Sequence, residues 1–243
     1  MPTPARFPQG ISTDPPHGIM GNCGLPDPFF WHVYSNHFDA LNAADFTTTK
    51  VGTGTAALTA NTGGAILLTT TAGASDSVLE QLVVASFAFT AGKKFIFRAK
   101  FQCSDPTNST LHAGMLVTSA TPLATATDGL YFRKSTGSTS ILLRNNVGSV
   151  TTDLDLSSVG GVATAATDIV LGFYIDPKGV VSAYINDTTG FAVQNGPGGS
   201  RGPVASFTPT LTSSQVNVSF GITNGAAAAK TMTVDYIYAA QEA

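Results

Sequence analysis

The sequence predicts an all-β fold, an antiparallel β-sandwich of the jelly-roll kind, preceded by an extended proline-rich N-terminal arm. Three observations predict it. From Trp31 onward apolar residues recur with period two, the signature of half-buried strands. Turn signals interrupt these runs at short intervals. Seven of the 13 prolines are crowded into the first 28 residues. The chain therefore divides into an arm, 1–28, and a sandwich domain, 29–243.

The arm carries Pro2, Pro4, Pro8, Pro15, Pro16, Pro26 and Pro28, with Gly10, Gly18, Gly21 and Gly24 between them. Proline lacks a backbone donor and restricts the residue before it, so the stretch is neither helix nor central strand. Phe7, Ile11, Ile19, Met20 and Leu25 are apolar residues that a solvated linker has no use for. Such a segment either becomes ordered on a partner's surface or straps across its own domain.

In the body, Phe95, Phe97, Ala99 and Phe101 share one strand face, with Lys94, Arg98 and Lys100 opposite. Ile169 to Ile175 is apolar except for Gly172 and belongs at the centre of a sheet. Asp176-Pro177-Lys178-Gly179 then reads as a hairpin turn, proline presetting one φ and glycine relieving a positive one. Val181, Ala183 and Ile185 follow. Val216, Val218, Phe220 and Ile222 alternate with polar residues, as do Met232, Val234, Tyr236 and Tyr238, which the period places on one face. Ser77 to Ala85 fits a helix or a strand, and the glycine-rich stretch from Gln194 to Pro203 an exposed loop. Roughly a dozen short strands with short connections make a sandwich or jelly roll.

Composition narrows the function. Only 11% of residues are charged, the net charge is −3, and Lys93-Lys94 and Arg133-Lys134 are the only adjacent basic pairs, so nucleic acid is not expected as a partner. No apolar run approaches the ~18 residues of a membrane span, and no signal peptide is expected. Cys23 and Cys103 are expected as free thiols. A glycosidase needs two facing carboxylates. The chain has two glutamates, Glu80 and Glu242, and its nearest aspartate pair, Asp153 and Asp155, suits a solvated strand edge. His17, His32, His37 and His112 lack paired metal-ligand spacing, and no Gly-x-Ser-x-Gly elbow occurs. The expectation is of no enzyme, no metal and no cofactor. Phe29, Phe30, Trp31 and Tyr34 stand at the arm–domain junction, either as a sugar-stacking platform or as the fastening of the arm's root.

Longer motifs carry a resemblance. Arg6-Phe7-Pro8-Gln9-Gly10-Ile11-Ser12-Thr13 resembles the "RFPxGxxT" opening of virion proteins of tailed bacteriophages. Pro26 to Tyr34 with Phe38-Asp39 is similar to that family's "PDPxxWHxYxxxFD" passage, and Asp128 to Lys134, Leu171 to Tyr174 and Phe220 to Gly225 extend the likeness into the body. The resemblance implies a capsid decoration (cement) protein with a jelly-roll fold. It would bind the major capsid protein from outside as a homotrimer, on a virion assembled in the host cytoplasm, without catalytic residues. The capsid contacts would then lie in the arm, at Arg6, Phe7, Pro8, Gly10, Ile11, Ile19 and Met20. The alternative is a glycan- or receptor-binding jelly-roll module of a phage fibre or tail.

Overall fold

A computed structural model describes residues 30–42, 44–61, 63–120, 126–186 and 203–243. The expected arm with its contact residues, Phe29, Cys23 and all but Pro203 of the expected 194–203 loop lie outside the described residues.

The strands run β1 Trp31–Asn36, β2 Phe46–Val51, β3 Thr55–Leu58, β4 Ile66–Thr69 and β5 Ser77–Leu82. Then come β6 Phe95–Cys103, β7 Ser109–Leu116, β8 Gly129–Lys134, β9 Ile141–Val147 and β10 Val150–Asp155. After a single 3-10 turn at Ser157–Val159 follow β11 Ile169–Ile175, β12 Val181–Ile185, β13 Ala205–Phe207, β14 Asn217–Asn224 and β15 Thr231–Glu242. They build two antiparallel sheets. One is eight-stranded, in the order β13-β12-β11-β6-β15-β4-β3, with β1 also paired to β15. The other is seven-stranded, in the order β10-β9-β8-β7-β14-β5-β2.

Ser77–Leu82 is a strand because β14 and β2 pair with it on its two sides. A helix there would leave both neighbours' ladders unsatisfied. The hairpin signal corresponds to the β11–β12 turn: the Asp176 carboxylate accepts from Lys178 N and Val180 N at 2.8 Å each, and Gly179 has φ +82°.

The core lies between the sheets. Phe95, Phe97, Ala99 and Phe101 of β6 face it, with Leu171 and Phe173 of β11, Leu111, Ala113 and Met115 of β7, and Val218, Phe220 and Ile222 of β14. Phe173 stacks on Phe97 with ring centroids 5.2 Å apart, and on Phe95 at 6.0 Å.

One strand departs from its sequence period. Met232 and Val234 of β15 face the core as expected, but Tyr236 and Tyr238 do not. The register against β6 shifts between Val234 and Tyr236, and this bulge hands the inner face to Ile237 and Ala239. Tyr236 and Tyr238 turn outward, opposite Lys100 and Arg98.

Candidate functional site

The junction aromatics do not form one platform. Trp31 and Tyr34 are three residues apart on β1, so the pleat sends them to opposite faces. Tyr34 packs against the core, its hydroxyl accepting from Asn36 Nδ2 at 3.2 Å, while Phe30 is 67% exposed. Trp31 joins Ile96, Tyr184 and Ala240, with Tyr174 and Tyr238 packed around them, on the outer face of the eight-stranded sheet. Beside this group Arg98 lies over the Tyr236 ring at 5.7 Å, and Lys100 bridges Asp235 at 2.6 Å and Asp168 at 3.0 Å. Burial pushes the Tyr238 hydroxyl up to about 12. These aromatics are mostly covered, so the cluster is a second, small hydrophobic core on that face.

The outer face of the seven-stranded sheet has a different chemistry. Leu111, Ala113 and Met115 face the core, so His112, Gly114 and Leu116 face outward. The register aligns Leu79 of β5, Gly221 of β14, His112 of β7, Arg133 of β8 and Leu142 of β9 in one row across the strands. The next row holds Gln81, Ser219, Gly114, Tyr131, Arg144 and Asp153.

At one end of this face the polar groups are spent on structure. Gln81 Nε2 donates to Val117 O and Ser219 Oγ, its carbonyl accepts from Ser119 N, and Asn217 Nδ2 donates to Leu82 O. Asn146 Nδ2 donates to Ala126 O and to the Tyr131 hydroxyl. These bonds fasten both ends of the β7–β8 connection to the sheet.

At the centre they are not spent. His112 is 2% exposed, and neither ring nitrogen has a hydrogen-bond partner. Its ring meets Tyr131 edge-on at 5.2 Å. Burial, reinforced by Arg133 and Arg144, lowers the imidazole to about 3, so it is neutral at physiological pH. Arg133 Nε is buried and unpartnered, and the residue forms no ion pair among the described residues. Arg144 is committed, donating through Nε and Nη2 to the two Asp153 oxygens at 2.7 and 2.6 Å. The Thr223 hydroxyl, one row away, is also buried without a partner.

Two glycines flank His112 on this floor. A Cβ at Gly221 would meet Val78 O at 2.6 Å, and one at Gly114 would overlap Tyr131. At both positions the close approach is made by the neighbouring strands themselves, Val78 and Leu79 of β5 and Leu130 and Tyr131 of β8.

The other sequence candidates scatter. His32 lies against Phe87 at 4.6 Å and His37 against Tyr236 at 5.6 Å. Among the described residues no three His, Cys, Asp or Glu side chains gather as a metal-ligand set. Asp153 and Asp155 lie on the edge strand β10 as expected, the first paired to Arg144 and the second accepting from Ser157 N. Glu80 points between the sheets on the Phe220 row, its carboxyl pushed up by burial against the pull of Thr48 and Lys50. Cys103 is a buried free thiol.

His112, Tyr131, Arg133 and Arg144 escaped the sequence reading as a group. Period two places His112 and Gly114 opposite Leu111 and Ala113. Their juxtaposition with Arg133 and Arg144, however, depends on the register of three strands joined by a long connection.

No protein-family model and no curated protein matches this sequence. Solved structures do match the fold. An endo-1,3-β-glucanase from Streptomyces sioyaensis has a TM-score of 0.57 at 12% identity, over 89% of this chain and 98% of that one. Peanut lectin has a TM-score of 0.55 at 8% identity, over 87% and 97%. A protein of unknown function from Shewanella oneidensis has a TM-score of 0.57 at 12% identity, over 88% and 87%. The fold is a lectin-like, concanavalin-type jelly roll.

That likeness corrects one expectation. The sequence reading took the chain not to be an enzyme, yet the glucanase shares this sandwich, so the scaffold accommodates catalysis as well as binding. A scarcity of glutamates bears on one kind of glycosidase site and does not exclude chemistry in general.

Proposed function

We propose that the chain is a glycan- or receptor-binding module on the exterior of a tailed-phage particle, in a fibre or tail, and that the outer face of its seven-stranded sheet is the recognition surface. One observation carries this reading: the unspent polar atoms of His112, Arg133 and Thr223, gathered on one sheet face. Buried polar groups are nearly always satisfied, and a set left open at one spot suits a hydroxyl- and oxygen-rich ligand. The fold shared with peanut lectin supports it by analogy. The phage setting rests on the motif resemblance alone. A glycan array probed with the full chain should give reproducible hits that Arg133→Gln removes; an array without sugar hits overturns the reading.

A second reading is capsid decoration, favoured by the resemblance of Arg6 to Thr13 and Pro26 to Asp39 to the cement-protein motifs. Here the chain binds the major capsid protein as a trimer. A 28-residue arm can reach on the order of 90 Å at about 3.3 Å per residue, far enough to lie across a neighbouring subunit. Ordering it costs roughly 1–2 kcal/mol per residue, which anchors such as Phe7, Ile11 and Met20 must offset, with Arg6 as a polar contact. Three arms engaged together raise the effective affinity of each. Deleting residues 1–28 should leave a sandwich with its melting temperature intact that no longer binds empty capsids; unchanged capsid binding sinks this reading.

A further inference from the structure

Resting on the glycan-binding reading, we infer that the ligand is an acidic sugar, its carboxylate seated on Arg133 beside His112. Arg133 and Arg144 stand on adjacent strands, diagonal across the β8–β9 register, and Arg133 is pushed down first by burial and then by the nearby Arg144 charge. Asp153 neutralises Arg144 in a two-pronged pair. No acid within ion-pair distance neutralises Arg133 among the described residues, although the residue is only partly exposed and its Nε is buried. The centre of the face therefore carries one net positive charge with open hydrogen-bonding capacity.

A half-buried guanidinium without a counter-ion is costly, and a carboxylate is its geometric complement: two parallel N–H donors meet two oxygens. His112 is the second, independent pointer. Its imidazole is buried, unpartnered at both nitrogens and one strand away in the same row, so it holds one N–H donor and one acceptor nitrogen that no described protein group uses. A neutral sugar would leave the Arg133 charge as it stands; a uronic or sialic acid removes it.

The test is binding of the full chain to paired probes that differ in the carboxylate: tri-galacturonate against its full methyl ester, and sialyllactose against lactose. At least one acidic probe should bind at least tenfold more tightly than its neutral partner. Arg133→Gln should abolish that preference, and Arg133→Lys, which keeps charge but not the fork, should restore part of it. Lys178→Gln, on the exposed β11–β12 turn, should leave it unchanged. Arg133→Lys keeps the test decisive if Arg133→Gln fails to fold. Equal binding of acidic and neutral probes overturns the inference while leaving the glycan-binding reading standing. Absence of binding to every sugar overturns both. Equal or tighter binding to a poly-glutamate peptide also overturns the inference, since the acid recognised would then be a protein's.

Discussion

His112 shows how one side chain sets a pH response. Its imidazole falls from the ordinary 6.5 to about 3 in the folded chain, first through burial and then through Arg133 and Arg144. Between those values the unfolded chain holds a proton that the folded chain refuses. Its contribution is thus fully present above pH 6.5 and lost as pH falls toward 3, by an amount on the order of a few kcal/mol. Glu80 acts in the opposite sense: its raised carboxyl contributes stability at low pH that is lost as pH rises through its folded value. Urea denaturation from pH 7 to pH 4 should therefore show wild type losing stability faster than His112→Leu. Parallel curves would mean that the imidazole is protonated in the fold. At Gly221, alanine would press its methyl against Val78 O and Leu79. Gly221→Ala should cost about 1–3 kcal/mol, the range for overpacking, as a lowered urea midpoint.

Among the elements, the β11–β12 hairpin was the most legible and β15 the least. Asp-Pro-Lys-Gly fixes its turn within four residues, and Asp176 satisfies two backbone donors there. Asp176→Ala should lower stability by about 1–2 kcal/mol, measured by thermal melting. Phe95 to Phe101 of β6 and Val218 to Ile222 of β14 were visible because period two is kept there, whereas the continuous apolar run of β11 showed a central strand without showing which side faces in. In β15 the same alternation misplaced Tyr236 and Tyr238, because the bulge at Asp235 arises from pairing with β6 and has no local sequence signal. For the junction aromatics, closeness in sequence grouped Trp31 and Tyr34, while the pleat packs them on opposite faces of β1. The grouping on the outer face of the seven-stranded sheet was not readable at all, since His112, Arg133 and Arg144 meet only through the register of three strands.

At the scale of the molecule, β15 holds the eight-stranded sheet together. It pairs with β6 along one side and with β4 and then β1 along the other, joining the first described strand to the last. Removing residues 236–243 strips β1 of its partner and takes Ile237 and Ala239 from the core. That truncation should abolish the cooperative melting transition, whereas loss of a peripheral element such as β13 should only shift it. Pairings this distant in sequence also make folding slow. Refolding from urea should be in the millisecond-to-second range or slower, as stopped-flow fluorescence of Trp31 would report.

The Ala243 amide donates to Phe30 O, and the β1–β15 ladder begins there with Trp31 opposite Glu242. Phe30 and Ala243 thus lie side by side at one corner of the body. A load applied between those two points peels the ladder open rung by rung instead of shearing it. A cargo fused after Ala243 would be attached at that same corner, at the end of the β1–β15 ladder.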